Sequence, residues 1–456
     1  MEKGQPHIDR RRIVGLFGSA MAASAVAGMT GVTGTTKGGM DPIDTPVGAA
    51  PSKGGTGAEP TPASTGATPF AIEIPDSMLQ AISRRVTDCR FPRTGSTGWD
   101  IGPNDAYMRK LAEYWKGPFD WRAQEKHLNR FPQFRAAVAG DLLHFVHVKS
   151  PASDGRALVL LHGWPYTFAS LLGLVDPLTH PELHGGREAD AVDIVIPSLP
   201  GFAFSESPSA PLGPRAMAGR IDTLMTDVLG YDSYRAQGGD WGGAIATWLG
   251  YEHPRCQAIA LNGGNSTNDG LHLGIVDPGL GTISPTERAK DIATQETVQQ
   301  KSAYFQQQSY RPTTIGYFRD SPVGTAQWII DKFFLWSDRR TRAFTQIFSM
   351  DQLLTEVMLH VATDAFDTSL WIYPGAYAEN ATSLPVGRKV TQPSGFSAFP
   401  DPLLPPPSRT DLEKVYNVVQ YEKFDHGGHF PFYENPSAFI AGIRNFLRAT
   451  EKPARV

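Results

Sequence analysis

The stretch YRAQGGDWGGAIATWLGYEHP, Tyr234 to Pro254, most restricts the folds open to this chain. It reads as a strand, a glycine-pinched turn and a helix, with Gly238 and Gly242 flanking Asp240. So tight a corner leaves no space for flanking side chains, which is the physical reason for small residues on both sides. The pattern is that of a nucleophile elbow, where a strained strand-to-helix turn displays one reactive side chain. Serine is the common apex residue in such corners. Here the apex is a carboxylate.

The surrounding sequence supplies the sheet that such a corner needs. Ala157 to Leu161 in RALVLLHGWP is a continuous apolar run, as expected for a strand buried on both faces. Val192 to Ile196, the YRAQGGD segment and Ala258 to Asn262 repeat the pattern, and helical spacing intervenes, as at Met217 to Leu229. Strands alternating with helices predict an α/β domain with a mostly parallel sheet. Ahead of it lie helical patterns at Ile74 to Arg90 and Tyr107 to Trp115, then strand-like pieces at Gln133 to Ala139 and Leu142 to Val148. His144 and His147 of the last piece point to opposite faces of a strand, so a structural role is expected for both. After Asn262 the alternation stops. Residues 265–385 read as helix and loop, including Thr325 to Trp336 and Asp351 to Val361, which is the composition of a helical lid inserted after the fourth core strand. Strand pattern resumes near Lys389, and a helix at Ser437 to Ala449 closes the domain.

The N-terminus has a different character. Arg10, Arg11 and Arg12 precede a mildly apolar stretch, Ile13 to Ala27, ending in the small-x-small pattern Ala25-Val26-Ala27. This resembles a twin-arginine export signal over residues 1–27, an address and not an anchor. The stretch is shorter than the roughly 18–20 residues that span a bilayer, so no stable membrane span is expected. Residues 28–69 are Gly, Pro, Ser and Thr with little to bury, and read as a flexible linker. With a net charge of −4 and no basic run interleaved with aromatics, nucleic acid is not an expected partner. Two cysteines, Cys89 and Cys256, make neither a disulfide framework nor a metal knuckle.

Three features must meet at the carboxyl edge of the sheet. In this fold the chain order is nucleophile, acid, histidine. Asp240 is the nucleophile candidate. His429, on a glycine loop in FDHGGHFPFYENP, is the base; His426 stands three residues away, but no third ligand supports metal binding. HGWP, His162 to Pro165, follows the first buried strand, and the expected oxyanion donors are the backbone amides of Trp164 and Trp241.

Together FAIEIPDSMLQAI, AEYWKGPFDWRAQEKHLNRFPQF, LLHGWP, GGDWGG, TTIGYFRDSPVGTAQWIIDKF, SGFSAFP and GGHF give the chain, from about Phe70 to its C-terminus, a close resemblance to the microsomal-type epoxide hydrolases. The resemblance implies an α/β-hydrolase fold: an N-terminal region over 70–150, core halves at 151–264 and 386–456, and a lid at 265–385. It also implies an enzyme that needs no metal or organic cofactor and takes a small-molecule epoxide and water as its partners. Two lid tyrosines are expected to assist ring opening. Tyr304 matches the first by its eight-residue spacing to Pro312, and Tyr373 the second, with Tyr377 as the alternative. Phe202, Phe204 and Phe430, on motif loops, are expected to contact an apolar or aromatic substrate.

One position departs from the family pattern. The family places an acid two residues after the proline of GFSAFP, and this chain has Pro402 there, with Asp401 one residue early. Asp401 would need a local backbone shift to reach the imidazole, and Asp269 is the alternative supply point. A haloalkane dehalogenase with the same aspartate chemistry, or an apolar-ligand binder without turnover, are the competing readings.

Overall fold

The computed structural model describes residues 66–262, 303–385 and 387–451, with two short strand pieces at 266–267 and 270–271. The expected export signal, nearly all of the linker and Asp269 lie outside the described residues. Nine strands form one sheet: β1 (Thr68–Phe70), β2 (Gln133–Val138), β3 (Asp141–Val148), β4 (Ala157–Leu161), β5 (Asp193–Pro197), β6 (Tyr234–Gly239), β7 (Cys256–Asn262), β8 (Val390–Ala398) and β9 (Tyr416–Lys423). Their spatial order is β1-β2-β3-β5-β4-β6-β7-β8-β9. The first three join antiparallel, and every pairing from β5 through β9 is parallel. Every residue of β4 and β5 is buried; β4 is accordingly an unbroken apolar run, and the one charged residue of β5, Asp193, accepts hydrogen bonds from the Ser150 amide and the Tyr231 hydroxyl.

Register matters more than strand count here. Leu161 of β4 pairs with Gly238 of β6, Gly239 of β6 with Asn262 of β7, and Asn262 in turn with Ser397 of β8. Ala398, which ends β8, pairs with Lys423, which ends β9. The carboxyl ends of β4, β6, β8 and β9 are therefore level, and the four loops leaving them converge at one edge.

Two local readings need correction. Thr68 and Pro69, assigned to the linker, belong to β1 and pair with Arg135 and Phe134. A three-residue edge pairing runs on backbone hydrogen bonds, so composition did not betray it. The segment from Met217 to Leu229 is not one regular helix: Pro214–Thr223 is α-helical and Leu224–Val228 winds one wider turn. An unexpected helix, Trp121–Leu128, is capped by Asp120 accepting from the Ala123 amide. His144 and His147 are structural, as expected. His144 bonds Ser198 and Gln133, and His147 bonds the Tyr231 hydroxyl.

The longer helices before the lid are α1 (Asp76–Thr87), α2 (Asp105–Lys116), α3 (Trp121–Leu128), α4 (Pro214–Thr223) and α5 (Asp240–Glu252). Above the convergent edge sit helical residues 303–310, α6 (Pro322–Trp336), α7 (Met350–Val361) and α8 (Ile372–Ala378). Ser321 caps α6 through the Gly324 amide, and Ser349 and Gln352 form a capping box on α7.

Candidate active site

Asp240 stands on the first residue of α5 (Asp240–Glu252) with φ +51°, a left-handed conformation that a non-glycine residue adopts at a cost of about 1–3 kcal/mol. The close-packed surroundings hold it there. A Cβ on Gly242 would collide with the Leu161 carbonyl, and one on Gly163 with the Asp240 side chain itself. These two glycines let β4, the elbow and the HGWP loop approach one another directly.

The Trp164 amide donates to Asp240 Oδ1 at 2.9 Å. The Trp241 amide lies in the first turn of α5, where no intrahelical acceptor exists for it, at the end of the helix dipole that favours negative charge. His429 Nε2 lies 3.4 Å from Asp240 Oδ2 and makes no hydrogen bond to any described residue. On its other side, His429 Nδ1 is 2.7 Å from Asp401 Oδ2. All three side chains are almost wholly withdrawn from solvent. Burial alone would lower the His429 pKa, but Asp401 and Asp240 together outweigh it and push it up to about 10.

Asp401 reaches the imidazole because the chain turns at that residue. Its amide donates to the Phe399 carbonyl at 2.8 Å, and its Oδ1 accepts from the Leu403 and Leu404 amides at 2.7 and 3.1 Å. Pro402 carries no N–H, and the amides that bond Asp401 Oδ1 come from the two residues after it.

The aromatic residues close the space over Asp240. Tyr304 stacks on Trp164 at 5.8 Å, Tyr373 meets Trp241 edge-on at 4.8 Å, and the two tyrosine rings lie 6.1 Å apart. Burial, and then the nearby Asp240 carboxylate, raise the Tyr304 phenol well above its ordinary value. Burial, Tyr304 and Asp240 do the same for Tyr373, whose hydroxyl has no hydrogen-bond partner among the described residues. Tyr377 instead packs against Tyr310 at 5.4 Å, on the outer side of Tyr373.

Sequence reasoning misplaced part of this lining. Phe202 packs edge-on against His162 at 5.0 Å, and Phe204 against Phe70 and His144 at 5.3 and 5.4 Å. Phe430 stacks on Phe333 at 4.4 Å behind His429. The ring neighbours of Phe202 and Phe204 are core and N-terminal residues, whereas Phe430 also meets His429 at 5.0 Å and Trp336 at 6.2 Å; proximity to a motif in sequence does not set the direction of a side chain. Phe305, stacked on Trp241 at 6.0 Å, and Trp336, 4.9 Å from Tyr304 and 5.0 Å from His429, stand beside the Asp240 site. Helical spacing on the lid could have flagged both, but it does not say which face looks down.

A parallel sheet with a nucleophile elbow, an acid and a histidine converging at one edge defines an α/β hydrolase. Residues 156–436 match the model of the alpha/beta hydrolase fold family, and residues 67–171 match that of the epoxide hydrolase N terminus. A putative epoxide hydrolase of Stigmatella aurantiaca is 35% identical over 388 residues, 84% of each chain. Epoxide hydrolase 1 of Sus scrofa is 30% identical over 419 residues, covering 84% of this chain and 89% of that one. The structure of Aspergillus niger epoxide hydrolase superimposes with a TM-score of 0.72 at 28% identity, over 85% of this chain and 98% of the other. The chain belongs to the microsomal-type epoxide hydrolase family, and it is an epoxide hydrolase.

Proposed function

We propose that the reaction runs through an ester of Asp240. The carboxylate attacks one epoxide carbon from behind, the C–O bond breaks, and the departing oxygen takes hydrogen bonds and a proton from Tyr304 and Tyr373. Water then adds to the ester carbonyl, His429 takes its proton, and the Trp164 and Trp241 amides receive the oxyanion. Collapse breaks the ester C–O bond, and the departing alkoxide takes the remaining water proton from the new Asp240 carboxyl, which completes the diol and restores the Asp240 carboxylate beside a protonated His429. Two easier steps replace one difficult one, and a serine apex would instead leave a stable ether.

The observation that carries this reading is the line Asp240–His429–Asp401, at 3.4 and 2.7 Å, with the Trp164 amide on the same carboxylate. It also supplies a switch. In the resting site His429 faces two carboxylates and holds its proton. Esterification neutralises Asp240, so the imidazole loses one of the charges that kept it protonated, returns its proton to the tyrosine pair and becomes available as a base. Single turnover in heavy-oxygen water tests the proposal: label must enter the Asp240 carboxyl, and an unlabelled Asp240 beside labelled diol refutes it.

The aromatic walls formed by Trp164, Trp241, Tyr304, Phe305, Trp336 and Tyr373 favour apolar or aryl epoxides, the oxidation products of aromatic hydrocarbons, whose conversion to diols is a detoxifying or catabolic step. Residues 1–27 would direct export of the enzyme. Replacing Arg11 and Arg12 with Lys and fractionating the cells tests this, and retention of the wild-type chain inside the cytoplasm counts against it.

A further inference from the structure

Glu356 lies on α7, fully buried and outside every sequence motif, and among the described residues no cation hydrogen-bonds to it. Its Oε2 accepts from both the amide and the hydroxyl of Thr167, each at 2.8 Å. Its Oε1 accepts from the Tyr433 hydroxyl at 3.1 Å. Thr167 is three residues after Trp164 in the oxyanion loop, and Tyr433 is four residues after His429. One turn further along α7, His360 Nε2 is 2.9 Å from the Pro165 carbonyl. Tyr166, between these anchors, donates to the Gly239 carbonyl at 3.2 Å.

A carboxyl group in such a place is expensive. Burial lifts its pKa to about 7, against the pull of its three donors. A buried acidic side chain with that cost, joining three separate segments, calls for a role beyond filling space.

We propose that Glu356 is a positioning residue: a clamp by which α7 holds the oxyanion loop, through Thr167, in register with the histidine segment, through Tyr433. It touches neither substrate nor reacting atoms. It sets where the Trp164 amide points and where His429 stands relative to it. Both groups are needed together in the ester-hydrolysis half of the cycle, whereas ring opening relies on Asp240 and the tyrosines. This rests on the ester chemistry proposed above.

The test separates the two halves in a single turnover with styrene oxide as probe. Trp164, Trp241 and Trp336 surround Asp240, so their fluorescence follows formation and loss of the ester, and intact-protein mass checks the adduct. In Glu356→Gln the charge is lost and one of the two acceptor oxygens becomes an NH2 group, so the Tyr433 hydroxyl must turn from donor to acceptor to keep its bond. We expect ester hydrolysis to slow by about tenfold, less than the roughly 10²–10³-fold lost when an oxyanion donor is removed outright, while ring opening stays near the wild-type rate. Tyr433→Phe, which removes one bond and little volume, should shift the same step in the same direction, and it answers the question should the Gln variant fail to fold. Thr167→Val combined with Glu356→Gln should be far from additive, since both cut the same contact. Equal slowing of both halves, or no change in either, would overturn the clamp with the ester chemistry intact. Absence of any Asp240 adduct in the wild-type enzyme would overturn both.

Discussion

Asp401 and His429 meet at 2.7 Å although the acid sits one residue ahead of the position its family uses. The carboxylate spends Oδ1 on the Leu403 and Leu404 amides and Oδ2 on the imidazole, so it is fixed at both ends. Asp401→Asn should therefore leave ring opening largely intact and slow ester hydrolysis by up to about 10⁴-fold, the loss seen when the equivalent acid of a serine-protease triad is made an amide. Accumulation of the Asp240 ester, read by mass after mixing, checks it. Full turnover in the Asn variant would show that His429 takes its orientation from elsewhere.

The lid tyrosines divide by location. Tyr304→Phe and Tyr373→Phe should each slow ring opening, and the double variant should lose about 10²–10⁴-fold, the usual worth of positioned acid catalysis. Tyr377→Phe should leave ring opening near the wild-type rate, because that ring packs on Tyr310 and Phe305 and has no ring contact with Trp164 or Trp241 among the described residues. Single-turnover rates of ester formation decide the matter, and equal losses at Tyr373 and Tyr377 would contradict it.

His429 gives stability a pH dependence with a definite sign. Its folded pKa of about 10 lies above its ordinary 6.5, so protonation stabilises the fold. That contribution is complete below the unfolded value and is lost as pH rises through the folded one. Thermal midpoints should fall across the window from about pH 7 to 10 more steeply for the wild type than for His429→Gln. Parallel curves for the two proteins would argue against a protonated imidazole at rest.

Close packing at the elbow is open to a direct test. An alanine methyl at Gly242 falls on the Leu161 carbonyl, which belongs to a central strand and cannot swing aside. Gly242→Ala should cost about 1–3 kcal/mol of stability, the usual range for overpacking, and should depress activity by displacing Asp240. Denaturant unfolding measures the first and diol formation the second; a stable, fully active variant would mean that the corner has slack.

Much of this enzyme is written locally. The two glycines around Asp240, the unbroken apolar run of Ala157 to Leu161 and the capped amphipathic helices of the lid each follow from short-range sterics or from periodicity. These features gave the α/β class, the elbow and the order of the site residues. What the sequence left open was set by contacts across long separations. Asp401 could be judged only once the turn through Leu403 and Leu404 had brought its carboxylate to a histidine 28 residues away. Phe202 and Phe204 resembled site residues until packing set them against core and N-terminal rings, and Phe305 and Trp336 came beside the Asp240 site only when the lid helices chose which face to bury. Glu356 carries no local signal at all. Its meaning lies in hydrogen bonds that span 189 and 77 residues, and burial makes such bonds matter because an unpaired carboxylate there would have no water to turn to.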